Sequence, residues 1–172
     1  SIGQANAYGE VIQELAEGGQ SLVDYPDNRL ADQLKNVAYM ISGGLQTSVY
    51  IVNLGGFDTH ANQVVVGDPT SGDYANLMQT LGDALAAFQR DLEAQGLDKR
   101  VLSMTFSEFG RRIRSNDGYG SDHGTAAPLF LMGSCVKAGI LGENAEIGEE
   151  VDVNEGVPLQ YDFRDIYGTV FE

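Results

Sequence analysis

The chain has 172 residues, 25 of them acidic against ten Lys or Arg, giving a formal charge of −15. Such a field repels a phosphate backbone, and without a long basic stripe nucleic acid is not an expected partner. The length and the 42% hydrophobic content describe a globular domain rather than a disordered tail, and no apolar stretch approaches the roughly 20 residues that a membrane-spanning helix needs.

The opening SIGQANAYGE has neither an initiator Met nor a basic or apolar leader, and the end, DIYGTVFE, stops inside an apolar run. The chain therefore reads as the C-terminal segment of a longer one. Tyr8, Val11, Ile12 and Leu15 share one helical face, and Gly18 and Gly19 end that first helix. After DYPDN, where Asp27 or Asn28 can cap, Leu30, Leu34, Val37 and Ile41 predict a second helix that stops at Gly43 and Gly44. TSVYIVNL, Thr47 to Leu54, is short, β-branched and bounded by glycines, which predicts a buried strand.

Residues 61–73 read as a loop, and Tyr74, Leu77, Met78, Leu81, Leu85, Phe88 and Leu92 then mark one face of a long helix. Arg100 to Phe106 predicts a second strand, followed by the polar turn SEFGRR; NDGYGSDHGTAA predicts a loop and Pro128 to Gly133 a third strand. Cys135, the sole cysteine, is expected to behave as a small buried hydrophobe. Acid-rich residues 142–156 read as a solvated loop or extended edge; calcium binding is the sharper alternative, although the EF-hand order of ligands is absent. YDFRDIYGTVF can begin a last helix.

Strand, long helix, strand is the pattern of a right-handed parallel crossover. The expected fold is therefore α/β, a layered helix–sheet–helix arrangement with a mostly parallel sheet. It forms a single domain over residues 1–172, with 1–44 a helical lead-in and 45–172 the motif-bearing core. In such sheets ligands bind outside the carboxyl ends of the strands. Asp58 and His60 follow the first predicted strand, Glu108 follows the second, and Asp122 and His123 precede the third.

Both histidines of the chain thus stand beside carboxylates. Two imidazoles with three carboxylates suit Zn²⁺, Mn²⁺ or Fe, whereas Ca²⁺ and Mg²⁺ are less natural because of the nitrogen donors. Such a metal polarises a phosphoryl or sulfuryl oxygen. Each residue also has a plain structural role open to it: Asp58 a turn acceptor, His60 the orienter of a helix start, Asp122 and His123 a surface pair, Glu108 an ion-pair partner of the arginines. A triad of Ser107, His123 and an Asp lacks the G-x-S-x-G elbow, and the phosphate-loop, H-E-x-x-H and G-x-G-x-x-G spacings are missing.

GGFDTHANQ, VLSMTFSEFGRR, GSDHGTAAPLFLMG and DFRDIYGTV, in that order, resemble the bacterial domain-of-unknown-function family 1501, from about residue 45 to the end. That family is grouped with the alkaline phosphatase-like superfamily of sulfatases and phosphatases, and its members are typically exported by a twin-arginine signal. The resemblance implies a central α/β sheet of the alkaline phosphatase-like kind, here its C-terminal portion, and a periplasmic or extracellular location. It also implies hydrolysis of small anionic phosphate or sulfate esters at divalent metals, Zn first and Mn or Fe next, with Ca less suited. The Ser or Thr nucleophile comes from an earlier segment that this chain lacks.

On the same resemblance Asp58 and His60 match the first ligand pair, at a closer spacing than the superfamily commonly shows. Glu108 matches an acidic ligand and His123 the late metal-binding His, while Phe109 stands where a further ligand is usual. Asp122 is a ligand or the orienter of an imidazole. Arg111 and Arg112 are oxyanion contacts in the catalytic centre, or one of them pairs with Glu108. The alternative, from another class, is a non-catalytic secreted binding or assembly module that retains a degenerate metal pocket.

Overall fold

The computed structural model describes residues 2–171. Among them the elements run α1 (Ile2–Gly18), α2 (Arg29–Ser42), α3 (Asp73–Ala94), a 3₁₀ turn (Asp98–Arg100), β1 (Ser103–Met104), β2 (Gly110–Ser115), β3 (Ser121–Gly124), β4 (Leu131–Met132) and α4 (Phe163–Phe171). β1 pairs with β4, and β2 with β3. The expected layered fold with a mostly parallel sheet, alkaline-phosphatase-like, is thereby overturned: the strands form two short antiparallel pairs accompanied by four helices.

The reason lies in the first predicted strand. Thr47 to Leu54 joins no ladder among the described residues. Its side chains do alternate: Tyr50, Val52 and Leu54 pack partly buried against the core, while Val49 and Ile51 are exposed. The Asn53 N–H, however, donates to Gln33 Oε1 at 3.1 Å and the Asn53 carbonyl accepts from Gln33 Nε2 at 2.9 Å, instead of pairing with a neighbouring strand. Extended backbone is locally encoded, but a ladder needs a partner. The second and third predicted strands shrink to two residues each and pair directly with each other. The predicted turn SEFGRR and the loop NDGYGSDHGTAA together supply the longest ladder, β2 with β3.

The chain divides into two compact units, Ser1–Phe57 with Ala75–Ser103 and Met132–Val136, and Asp58–Tyr74 with Met104–Leu131 and Lys137–Glu172. In the first, Asn28 caps α2 by accepting the Ala31 N–H at 2.9 Å. Leu30, Ala31, Leu34, Val37 and Ala38 then bury against Ala84, Phe88 and Leu92 of α3. The side chain of Tyr8 lies outside the described residues, and Val11 on the same face of α1 is exposed. Gly19 and Gly43 do more than end helices. A Cβ on Gly43 would lie 1.8 Å from the Leu15 carbonyl oxygen, and one on Gly19 would lie 2.0 Å from that of Tyr39. Only glycine permits this approach.

Residue Asp91 of α3 is fully buried. Its carboxylate accepts the Leu22 N–H at 2.8 Å, the Tyr25 hydroxyl at 3.0 Å and the Gln95 amide at 2.9 Å, which ties the segment after α1 to α3. Burial, and then the negative charge of Asp91, push the Tyr25 phenol up, so it stays a donor. Cys135, expected to be buried, is exposed.

In the second unit β2 and β3 pair antiparallel, with Gly110 opposite Gly124, Arg111 opposite His123 and Ser115 opposite Ser121, and an irregular register between Arg111 and Ser115. Asn116 organises the turn, its Oδ1 accepting the Gly118 and Gly120 N–H groups at 2.9 and 3.1 Å. Residues 59–64 lie along this turn and the start of β3: the Ser121 N–H donates to the Thr59 carbonyl at 3.3 Å, and the Asn62 N–H to that of Gly118 at 2.9 Å. The end of the acidic stretch lies beside β2, where the Ile113 N–H donates to the Glu155 carbonyl at 3.1 Å and Arg112 bridges to Gly156. Among the described residues the stretch 142–156 is a mostly exposed loop that meets β2 only toward its end, with one bridge at Gly156.

Candidate metal centre

The hairpin and the segment laid along it bring Asp58, His60, Asp122 and His123 together. Asp58 Oδ1 is 2.9 Å from His60 Nε2 and 2.6 Å from His123 Nε2, and the two Nε2 atoms are 3.3 Å apart. On the other side of the ring, His60 Nδ1 is 2.9 Å from Asp122 Oδ1. Asp58, His60 and His123 are therefore a set of donors that one metal ion can share, whereas Asp122 meets the far nitrogen of His60.

The Asp122 carboxylate can only accept, so His60 Nδ1 carries a hydrogen, and in the neutral form of the ring the Nε2 lone pair faces Asp58 and His123. His123 can lend one hydrogen to Asp58. A second hydrogen on His60, at Nε2, or a metal ion in its place would answer the Asp58 carboxylate oxygen. Metal bonds of about 2.0–2.1 Å place neighbouring donors of a zinc tetrahedron about 3.3 Å apart. Only the separation of the two Nε2 atoms, 3.3 Å, has that length; the 2.6 and 2.9 Å from Asp58 Oδ1 are hydrogen-bond distances. It is the donor types, one carboxylate and two imidazoles, that suit such an ion, with Asp58 drawn back on binding.

The surroundings hold the rings in place. Phe109 stacks on His123 with centroids 4.0 Å apart and planes 8° from parallel, and the Arg111 guanidinium lies 5.1 Å from the centre of the Phe109 ring. Arg111 stands 3.7 Å from Asp58 Oδ1, and Arg112 stands 3.7 Å from Asp122 Oδ2 while donating to the His123 carbonyl at 3.2 Å. The Asp58, His60 and His123 side chains remain about half exposed, which leaves the centre open to solutes.

Not every sequence-predicted residue joins. Glu108 is exposed and has no hydrogen bond or ion pair among the described residues, and it lies outside the donor set. The Ser107 hydroxyl donates to the Phe109 carbonyl at 2.8 Å and makes no contact with His123 among the described residues. Two supporting residues were missed in sequence. Gln63 Oε1 accepts the Thr59 hydroxyl at 3.1 Å and the Ser121 hydroxyl at 2.8 Å, clamping the two ligand-bearing segments together. Asn116 donates to the His60 carbonyl at 2.8 Å. Their only local signal is an amide side chain beside each ligand pair.

Two predictions arise from this geometry. A Cβ on Gly120 would sit 2.3 Å from the His60 carbonyl carbon, so Gly120→Ala is expected to push residues 59–62 off the hairpin. Faster amide exchange at Asn62 and Ser121, with α3 unchanged, is the measurement that checks it. The second concerns acid. The hydrogen bond from His123 holds Asp58 below the ordinary aspartate value of 3.8, helped by His60 and Arg111, and those from His60 and Asn116 do the same for Asp122. Carboxylates depressed in the folded state stabilise it above their unfolded pKa, and that contribution is lost as pH falls through the folded value. The hairpin is therefore expected to loosen below about pH 4, and NMR titration of the His60 and His123 ring signals should show it.

A model of the family described as protein of unknown function DUF1501 matches residues 43–171. The chain belongs to that family. The match takes in the whole of the centre, from Asp58 to His123. Comparison with curated proteins finds no match, nor does comparison with solved structures.

Proposed function

We propose that Asp58, His60 and His123 hold one divalent metal ion and that this DUF1501 chain contributes the centre to a metal-dependent hydrolase of phosphate or sulfate esters. The observation that carries the proposal is the convergence of one carboxylate oxygen and two imidazole nitrogens, with Asp122 fixing the far side of one ring. Two nitrogen donors favour Zn²⁺, with Mn²⁺ or Fe²⁺ next and Ca²⁺ less suited. When bound, such an ion polarises an ester oxygen or lowers the pKa of a water to about 7.

The chain's own residues bind and orient. Arg111 and Arg112, partly buried beside the donor set and held there by the Ser121 and His123 carbonyls, set two fixed positive charges next to the site of an anionic ester. The resemblance of the motifs to those of sulfatases and phosphatases supports the ester class, and the export habit of the family supports a periplasmic or extracellular location.

A non-catalytic binding or assembly role is favoured by one observation, that Glu108 stands apart and leaves three donors rather than the fuller set of a two-metal centre. Turnover of p-nitrophenyl phosphate and p-nitrophenyl sulfate by the full-length protein separates the two. Hydrolysis of either ester that a chelator abolishes and zinc restores is expected, with KM raised in Arg111→Ala. Zinc-loaded protein that turns over neither ester would leave the binding role.

A further inference from the structure

Behind the donor set a run of hydrogen bonds joins the hairpin turn to His60 through Asn116 and Asp122. The Gly118 and Gly120 N–H groups can only donate, and both reach the same oxygen of the Asn116 side chain, at 2.9 and 3.1 Å. The orientation of that amide is therefore settled by its partners. Its Nδ2 must lie on the other side, where it donates to the His60 carbonyl at 2.8 Å and to Asp122 Oδ1 at 3.2 Å. The same Asp122 oxygen takes the hydrogen of His60 Nδ1 at 2.9 Å.

We propose that Asn116 is a positioning residue for the metal centre: by holding Asp122 and the His60 backbone together, it fixes His60 as the Nδ1–H tautomer, with the Nε2 lone pair turned toward Asp58 and His123. Two backbone amides at a hairpin turn thus orient the Asn116 amide that holds Asp122 against His60, and the carboxylate, which can only accept, keeps a hydrogen on Nδ1. Outer partners of this kind orient a ligating ring and raise its basicity. The consequence for metal affinity rests on the metal proposal above; the control of the tautomer does not.

Asn116→Asp separates this role from simple turn formation. A carboxylate at this position still accepts both glycine N–H groups, so the turn keeps its support, but it has no hydrogen to give and sets a second negative charge against Asp122. Long-range ¹H–¹⁵N spectra of the full-length, metal-free protein at about pH 9, above the ordinary imidazole range, read the tautomer directly. Calorimetry with zinc ions reads affinity. The wild type is expected to show His60 as a single Nδ1–H tautomer, and Asn116→Asp to show a mixture and about 10- to 100-fold weaker zinc binding.

Three outcomes overturn the proposal. A wild-type His60 found as the Nε2–H tautomer breaks the chain of bonds without any variant. So does a folded Asn116→Asp protein with an unchanged tautomer and unchanged zinc affinity, or one whose lost affinity comes with an unchanged tautomer. A wild type that binds no zinc, yet whose His60 tautomer follows residue 116, would refute the metal proposal and uphold the positioning role.

Discussion

Replacing Asp91 by alanine is expected to lower the unfolding free energy of the chain by about 3–5 kcal/mol, the largest stability effect of any single polar substitution described for it. The carboxylate is fully buried and is the acceptor for three donors from two stretches of chain: the Leu22 N–H, the Tyr25 hydroxyl and the Gln95 amide. A buried donor left without an acceptor costs about 1–3 kcal/mol, and water reaching the partly exposed donors trims the sum. Asp91→Asn keeps one carbonyl oxygen for Leu22 and Gln95 and should cost about 1–2 kcal/mol. Urea denaturation checks both, as a fall in midpoint at constant slope. A loss below about 1 kcal/mol in the alanine variant would mean that water replaces the carboxylate and that the segment after α1 is not anchored by it.

The second large effect concerns zinc. A ligand that binds only the folded state at 100 times its Kd adds about 2.7 kcal/mol, which for a chain of this length raises Tm by about 5–10 °C. Zinc is expected to produce such a shift in the wild type. His60→Ala and His123→Ala each remove a donor from the shared triangle and should abolish the shift. Asp122→Ala, which touches only the far nitrogen of His60, should weaken zinc about 10- to 100-fold without abolishing it. Glu108→Ala should change nothing, because that side chain lies outside the donor set. Differential scanning fluorimetry with and without a chelator ranks the four variants, and equal effects in all of them would remove the assignment of roles.

That ranking also shows where sequence reasoning succeeds. Asp58, His60, Asp122 and His123 were legible because rare imidazoles beside carboxylates stand out in any chain, and the structure brings all four together. Glu108 was nominated by its place after a predicted strand, and its place changed once no parallel sheet formed. Helix faces were equally legible: Leu30, Leu34 and Val37 bury as their spacing predicts, beneath an Asn28 cap. What failed was pairing. Thr47 to Leu54 carries the alternation of a strand, but local residues do not encode which partner, if any, completes a ladder.

β2 was hidden for the opposite reason. GRRIRS has no apolar face to reveal, because its arginines are spent on hydrogen bonds to the Ser121, His123, Val151 and Val153 carbonyls rather than on a core. A hairpin of that kind reads as a polar turn. Asp91 escaped notice because a carboxylate on the inward face of a helix contradicts the hydrophobic stripe around it, and only its three tertiary donors explain it. Asn116 escaped because NDGYG is ordinary turn chemistry until His60 and Asp122 are placed beside it.

The central claim is one metal ion held by Asp58, His60 and His123. Titration of zinc into metal-free, untagged full-length protein, followed by calorimetry and native mass spectrometry, tests it most directly. One ion per chain in the wild type and none in His123→Ala is the predicted result. A wild type that takes up no zinc, manganese or iron, or a His123→Ala variant that binds zinc as well as the wild type does, would contradict it.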